Sequence, residues 1–217
     1  MSLSQPKRIL IIKLRHHGDV LLSTPVVDAL KTRFPDCEID MLVYAGTGQL
    51  IADNPQIAQI FTIDRNWKKL GIFKQLACEK NLFSKLKTRD YDWAFNLSDQ
   101  WRAAIIAKLC ARCSVGLDCI RRDGFWWRFC HDFINHELDP SHHIVENQLN
   151  ILAPLIQPED MADAKVRLWV AQDARESMRQ KLRAQGWSGE DYVLMHPGTR
   201  WHFKCWEDGK NAAIVQL

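Results

Sequence analysis

Three short stretches hold residue types that could do chemistry. The first is the turn Arg15-His16-His17-Gly18-Asp19, which follows an apolar run and precedes a helical pattern. A carboxylate at Asp19 can take a proton from a bound hydroxyl, or it can cap the helix by accepting from a backbone N–H. Gly18 lets the backbone come close to a ligand. The second stretch, residues 196–206 (HPGTRWHFKCW), offers Gly198, Thr199, Arg200 and Lys204 between a strand pattern and a helix pattern. Backbone N–H groups, a hydroxyl and cations at a helix start suit a phosphate, and the same residues also suit a solvated loop. The Gly and Lys spacing is not that of a Walker loop. The third stretch, residues 120–129 (IRRDGFWWRF), sets Arg121 and Arg122 beside aromatic residues. Arginine suits bidentate phosphate recognition, and basic residues beside tryptophan also suit a membrane interface. The plainer reading puts Trp126 and Trp127 half in the core, with the arginines reaching outward.

Two further groupings look like metal ligands and are discounted. Cys110-x2-Cys113 lies near Cys119, Cys130 and His131, but its first pair falls at a helix end and no second close pair completes a set. The seven cysteines are an odd number with no secretory leader read at the N-terminus, so structural, reduced thiols are expected. His142-His143 reads as the lead-in to a helix. No metal is expected.

The elements that must position these residues alternate. Residues 8–14 (RILIIKL) form an Ile/Leu-rich run suited to a strand buried on both faces. A helix follows over 20–34, with Pro25 in its first turns, where proline is tolerated. Strands are expected over 38–44, 59–63, 93–97 and 114–117, and helices over 70–89, 101–110 and 144–155. After Pro158 the pattern restarts: an extended piece at 165–169, a helix over 171–185, a strand over 191–195 and a helix from about 206. The reading is an α/β, Rossmann-like doubly wound parallel sheet over residues 1–170, then a linker helix and the beginning of a second such domain over 171–217.

Bulk properties exclude several classes. The 217 residues hold 29 basic and 26 acidic side chains, a net charge of +3, too mild to argue for nucleic acid. No stretch approaches the ~20 apolar residues of a spanning helix, so a cytoplasmic chain is expected.

Residues 8–30 (RILIIKLRHHGDVLLSTPVVDAL) resemble the N-terminal signature of the ADP-heptose:lipopolysaccharide heptosyltransferases, inverting glycosyltransferases of two Rossmann-like domains, the GT-B fold. Residues 91–101 (YDWAFNLSDQW), 143–152 (HIVENQLNIL) and 196–206 are also similar, and the NLSDQW and FKCW pieces are most like the branch that adds the third, side-chain heptose. The resemblance implies an N-terminal domain that receives a lipopolysaccharide inner core on its lipid anchor, and a C-terminal domain that binds ADP-heptose. It implies Asp19 as the base, Lys204 on the pyrophosphate with Thr199 and Gly18 as donor-side contacts, and Arg121 and Arg122 on acceptor phosphate. It implies no cofactor or metal, and peripheral contact with the cytoplasmic face of a Gram-negative inner membrane. The sequence departs from the family in two places. Glu146-Asn147 stands where Glu-Arg is usual, and nothing matches the family's later Asp-[Ser/Thr]-x-x-x-His donor motif. Little or no transfer by this chain alone is therefore expected. A GT-B enzyme with another nucleotide sugar, or a non-enzymatic domain that binds phosphorylated glycan, are the alternatives.

Overall fold

The apolar run at the N-terminus becomes the centre of the fold. In the computed structural model, which describes residues 5–117, 124–135, 141–199 and 201–216, Arg8–Lys13 is β1. Its side chains alternate between two cores. Ile9 and Ile11 enter one face, and Leu10 and Ile12 the other, all without solvent exposure. Burying a Leu or Ile side chain completely stabilises by about 1.5–3 kcal/mol. A strand that does so on both faces can only sit in the interior of a covered sheet.

The sheet has six strands among the described residues: β1, β2 (Glu38–Tyr44), β3 (Gln59–Ile63), β4 (Tyr91–Asn96), β5 (Ala111–Leu117) and β6 (Phe133–Asn135). All pairs are parallel, in the order β3-β2-β1-β4-β5-β6. This is the doubly wound order, and it reverses direction between β1 and β4. The residues of α2 (Thr24–Arg33), with Ile151 and Leu152, cover one face, and those of α3 (Ile72–Thr88) and α4 (Trp101–Cys110) the other. At the amino edge, buried Asp40 accepts from Tyr91 Oη at 2.7 Å and from Arg89 Nε at 2.7 Å, which ties β2 to β4.

The helix expected over 20–34 is two. The five-residue α1 (His17–Leu21) stops before Ser23, and α2 starts with Pro25 in its first turn. Proline has no N–H to donate back to the preceding turn, so the chain restarts its helix there. Two elements were not expected: α5 (Phe125–Phe129) and the three-residue β6, while α6 (Ile144–Leu149) gives way to a 3-10 turn at Asn150–Leu152.

The chain divides into two units, Met1–Ala171 and Gln172–Leu217. The second contains α7 (Gln172–Ala184), a 3-10 turn at His202–Lys204 and α8 (Asp208–Val215), with no fully buried side chain among its described residues. The strand expected over 191–195 does not form. A strand exists only through bonds to a neighbour, and the described part of this unit has none to pair it. Val193 is accordingly 95% exposed.

Candidate active site at the sheet switch point

In a parallel sheet every carboxyl end lies at one edge, and the reversal between β1 and β4 opens a crevice there. The chain after β1 turns at once into α1, which carries Gly18 and Asp19 in its first turn, and the loop after β4 is residues 97–100. The sequence brings the two together through polar residues that clamp each loop to the other. Leu14 N donates to Ser98 Oγ at 2.7 Å, and Ser98 N donates to Asn96 Oδ1 at 3.0 Å. Gln100 Nε2 donates to Leu14 O at 2.9 Å, and its Oε1 accepts from Tyr44 Oη at 2.6 Å. Arg15 and Asp99 pair at 2.7 Å across the crevice rim.

Asp19 is the third residue of α1, half-exposed, and its Oδ2 accepts from His16 N at 3.2 Å. The cap geometry that sequence left open is therefore present. It uses one carboxylate oxygen of a group that still meets solvent, so capping leaves room for proton transfer. At Gly18 a Cβ would meet nothing within 4 Å. Nothing inside the described fold demands glycine there.

Lys13 is the functional candidate that sequence reasoning missed. It is the last residue of β1, only 4% exposed, and its Nζ donates to Leu97 O at 3.2 Å, across from β1 to the end of β4. Burial pulls its ammonium down to about 8, opposed by Asp19, furthered by Arg15 and opposed again by Asp99. The crevice floor thus holds a buried cation within electrostatic reach of the candidate base.

On the β5 side, His131 lies against the sheet. A Cβ on Gly116 would fall 2.5 Å from its ring, so only glycine lets the imidazole pack there. His131 Nδ1 lies 2.9 Å from Trp127 O, and Nε2 lies 3.2 Å from Asn96 Nδ2. These partners assign a neutral ring that donates through Nδ1 and accepts at Nε2. Burial pulls its pKa below the ordinary value. A continuous polar chain results: Trp127 O, His131, Asn96, Ser98, Leu14 N.

The described cysteines do not assemble, and Cys119 lies outside the described residues. Cys113 lies in the core on one face of the sheet, Cys110 in the core on the other, and Cys130 in a third cluster around Trp127. Burial pushes the thiols of Cys110 and Cys113 up to about 11, which keeps them protonated. His143 caps α6, accepting from Val145 N at 3.3 Å, while its own N–H donates to Glu146 at 3.2 Å. Glu146-Asn147 thus begins a helix, with Asn147 buried.

The second candidate stretch lies in the second unit and is described by itself. Thr199 Oγ1 donates to Trp201 O at 2.8 Å, and Trp201 N donates back to it at 3.2 Å, a closed local turn. Lys204 sits in the 3-10 turn, its Nζ 5.8 Å from the Phe203 ring centroid. A shallow concavity beside it is lined by Gly198, His202, Trp206, Glu207 and Asp208, and Lys204 is not in its wall. Arg200, Arg121 and Arg122 lie outside the described residues. Trp126 and Trp127, expected to be half core together, separate: Trp127 is buried, its Nε1 donating to Leu117 O at 3.2 Å, and Trp126 is exposed.

Comparison with known proteins identifies the family. A family model described as glycosyltransferase family 9 (heptosyltransferase) matches residues 80–217. The chain belongs to glycosyltransferase family 9. This family 9 chain is 35% identical over 207 residues to lipopolysaccharide heptosyltransferase 3 of Escherichia coli (strain K12), covering 93% of the chain and 57% of that protein. It is 21% identical to lipopolysaccharide heptosyltransferase 1 of Campylobacter coli, covering 97% of the chain and 60% of that protein. The chain thus spans little more than half the length of these relatives. Its fold matches the crystal structure of a family 9 glycosyl transferase from Veillonella parvula with a TM-score of 0.80 at 20% identity, over 99% of this chain and 60% of that one. It also matches E. coli heptosyltransferase WaaC with ADP-2-deoxy-2-fluoro heptose, with a TM-score of 0.70 at 17% identity, over 97% and 65%. The α/β, Rossmann-like reading of the sequence holds.

Proposed function

We propose that the protein to which this chain belongs transfers L-glycero-D-manno-heptose from ADP-heptose to a heptose of the lipopolysaccharide inner core, with inversion. The observation that carries the reading is a half-exposed carboxylate, Asp19, at the switch-point crevice of a family 9 chain. The 35% identity to a lipopolysaccharide heptosyltransferase supports the choice of sugar and acceptor.

In this reading residues 1–170 receive the acceptor, and residues 171–217 begin the donor-binding part. Asp19 takes the proton of an acceptor heptose hydroxyl. The freed oxygen forms a bond to the anomeric carbon from the face opposite the leaving group. The bond from that carbon to the diphosphate oxygen breaks, and ADP departs with its electron pair. Lys204, with Thr199, Gly18 and backbone donors, meets the charge that grows on the diphosphate, with no metal required. Arg121 and Arg122 meet acceptor phosphate. Since the acceptor is lipid-anchored, the protein works in the cytoplasm at the periphery of the inner membrane. No described helix is long and apolar enough to cross a membrane.

The test is heptose transfer, followed as the mass gain of an inner-core oligosaccharide, by a protein carrying this chain together with the further length its relatives have. Asp19→Asn is expected to lower turnover by about 10²–10⁴-fold with unchanged acceptor affinity and melting. Intact turnover in that variant would remove Asp19 from the chemistry. Transfer from a different nucleotide sugar only would replace the donor.

A further inference from the structure

The positive charge of this protein is concentrated in one segment. Residues 65–88 contain Arg65, Lys68, Lys69, Lys74, Lys80, Lys85 and Lys87 against the single acid Glu79, whereas the whole chain carries +3. Glu79 is itself paired with Arg102 of α4 at 2.5 Å. The segment is the 3-10 turn Arg65–Lys69 followed by α3. Only the far half of α3 is anchored, through buried Leu82 and Leu86. Its first two turns stand clear of the core and turn apolar residues outward: Ile72 is 69% exposed, Phe73 86% and Leu76 58%. Spaced one, three and four apart, these three lie on one side of the helix, with Leu70 before them and an open groove against Ile105 and Leu109 of α4 beside them. An exposed apolar face rimmed by lysines is what an amphipathic helix needs to lie in a lipid interface.

We infer that the start of α3, with Lys68 and Lys69 before it, docks the protein on an anionic lipid bilayer, inserting Ile72, Phe73 and Leu76 between headgroups. Charge selects this occupant. A second copy docked there would bring two such cationic segments together, whereas anionic headgroups neutralise them. Position agrees. The segment leaves β3 at the carboxyl edge of the sheet, the edge that carries Asp19. Arg65 stacks 4.1 Å from the ring centroid of Tyr44, whose hydroxyl reaches Gln100 in the crevice loop. The docked face would therefore hold the crevice beside the surface that carries a lipid-anchored acceptor, and in that respect the inference rests on the proposed function.

The experiment is co-sedimentation of the 217-residue chain with vesicles of phosphatidylcholine alone, or mixed equally with phosphatidylglycerol, at low and high salt. The chain should bind the anionic vesicles, release at high salt and bind neutral vesicles weakly. Lys68→Gln, Lys69→Gln and Lys74→Gln should each weaken binding about fivefold. Phe73→Ser with Leu76→Ser should weaken it about tenfold or more. Phe125→Ser with Trp126→Ser, on the exposed side of α5, should leave it unchanged. Hydrogen exchange on the unmutated chain should slow over residues 68–80 when anionic vesicles are added. The inference is overturned if the chain ignores anionic vesicles, if binding survives the α3 changes or is lost on those in α5, or if exchange over 68–80 does not change. It is likewise overturned if Phe73→Ser abolishes self-association instead. Neither donor nor acceptor enters these measurements. Failure here with heptose transfer intact on a soluble acceptor sinks only the docking face, and the converse sinks only the proposed reaction.

Discussion

At pH 7 Lys13 keeps its charge in a place that opposes it. Below about pH 8 the folded and unfolded chains both hold the proton, and the folded state bears the full cost of the buried ammonium. Between about 8 and the ordinary 10.5 the folded chain releases the proton while the unfolded chain keeps it, so folding stability rises with pH across that window. Lys13→Met cannot titrate. Its stability relative to the parent, from urea denaturation at the two ends of the window, should therefore fall by roughly 3 kcal/mol as pH rises. A difference that does not move with pH would mean that Lys13 titrates as an ordinary lysine. Asp19 was legible because a Gly-Asp turn follows a two-face-buried strand, which places it at the ligand edge. Lys13 was read only as part of that strand's run. Its signal was its location, since a lysine on the last residue of a strand covered on both sides has little path to water. Arg121 and Arg122 were read as candidate phosphate contacts, and both lie outside the described residues.

Elements were legible where one period governed enough residues. β1, β2 and β4 bury regular patterns, α3 carries a long helical one of which only Leu82 and Leu86 are buried, and the structure holds all four within a few residues of the expected bounds. α5 and β6 were not legible: five and three residues are too few for periodicity, and both depend on tertiary partners. Trp127 fixes α5 by edge contact with Trp101, ring centroids 5.6 Å apart, and β6 forms on the exposed flank of β5. The packing that joins these late elements to the sheet passes through Gly116. Gly116→Ala drives a methyl into the His131 ring, which is boxed in by Trp127 and Asn96 and cannot swing away. The expected loss is about 1–3 kcal/mol of folding stability, seen as a lower denaturant midpoint at unchanged slope. An unaltered midpoint would show that the ring has room. The failed strand over 191–195 teaches the complementary lesson: alternating residues propose a strand, and only a neighbour makes one.

For the whole molecule, the sheet unit has two cores and a clamped crevice, while the described residues of the second unit bury nothing completely. Calorimetry on the 217-residue chain should therefore detect an inner-core oligosaccharide and little or no ADP-heptose or ADP. Tight donor binding would mean that the 217 residues, singly or as an assembly of chains, already complete a donor site. The fold class was readable at this scale because alternating strands and helices admit few topologies. The proposed donor part was not, because its candidate residues Thr199 and Lys204 lie in a local turn with no core to aim them. The clamp between the loops after β1 and β4 bears on the heat of binding. Leu14, Ser98 and Gln100 lose their conformational freedom when the chain folds, long before any sugar arrives. An acceptor that meets this wall does not have to order it, so its association should be enthalpy-led with a small entropic penalty from the protein, and replacing Ser98 by alanine should reveal itself first in that entropy.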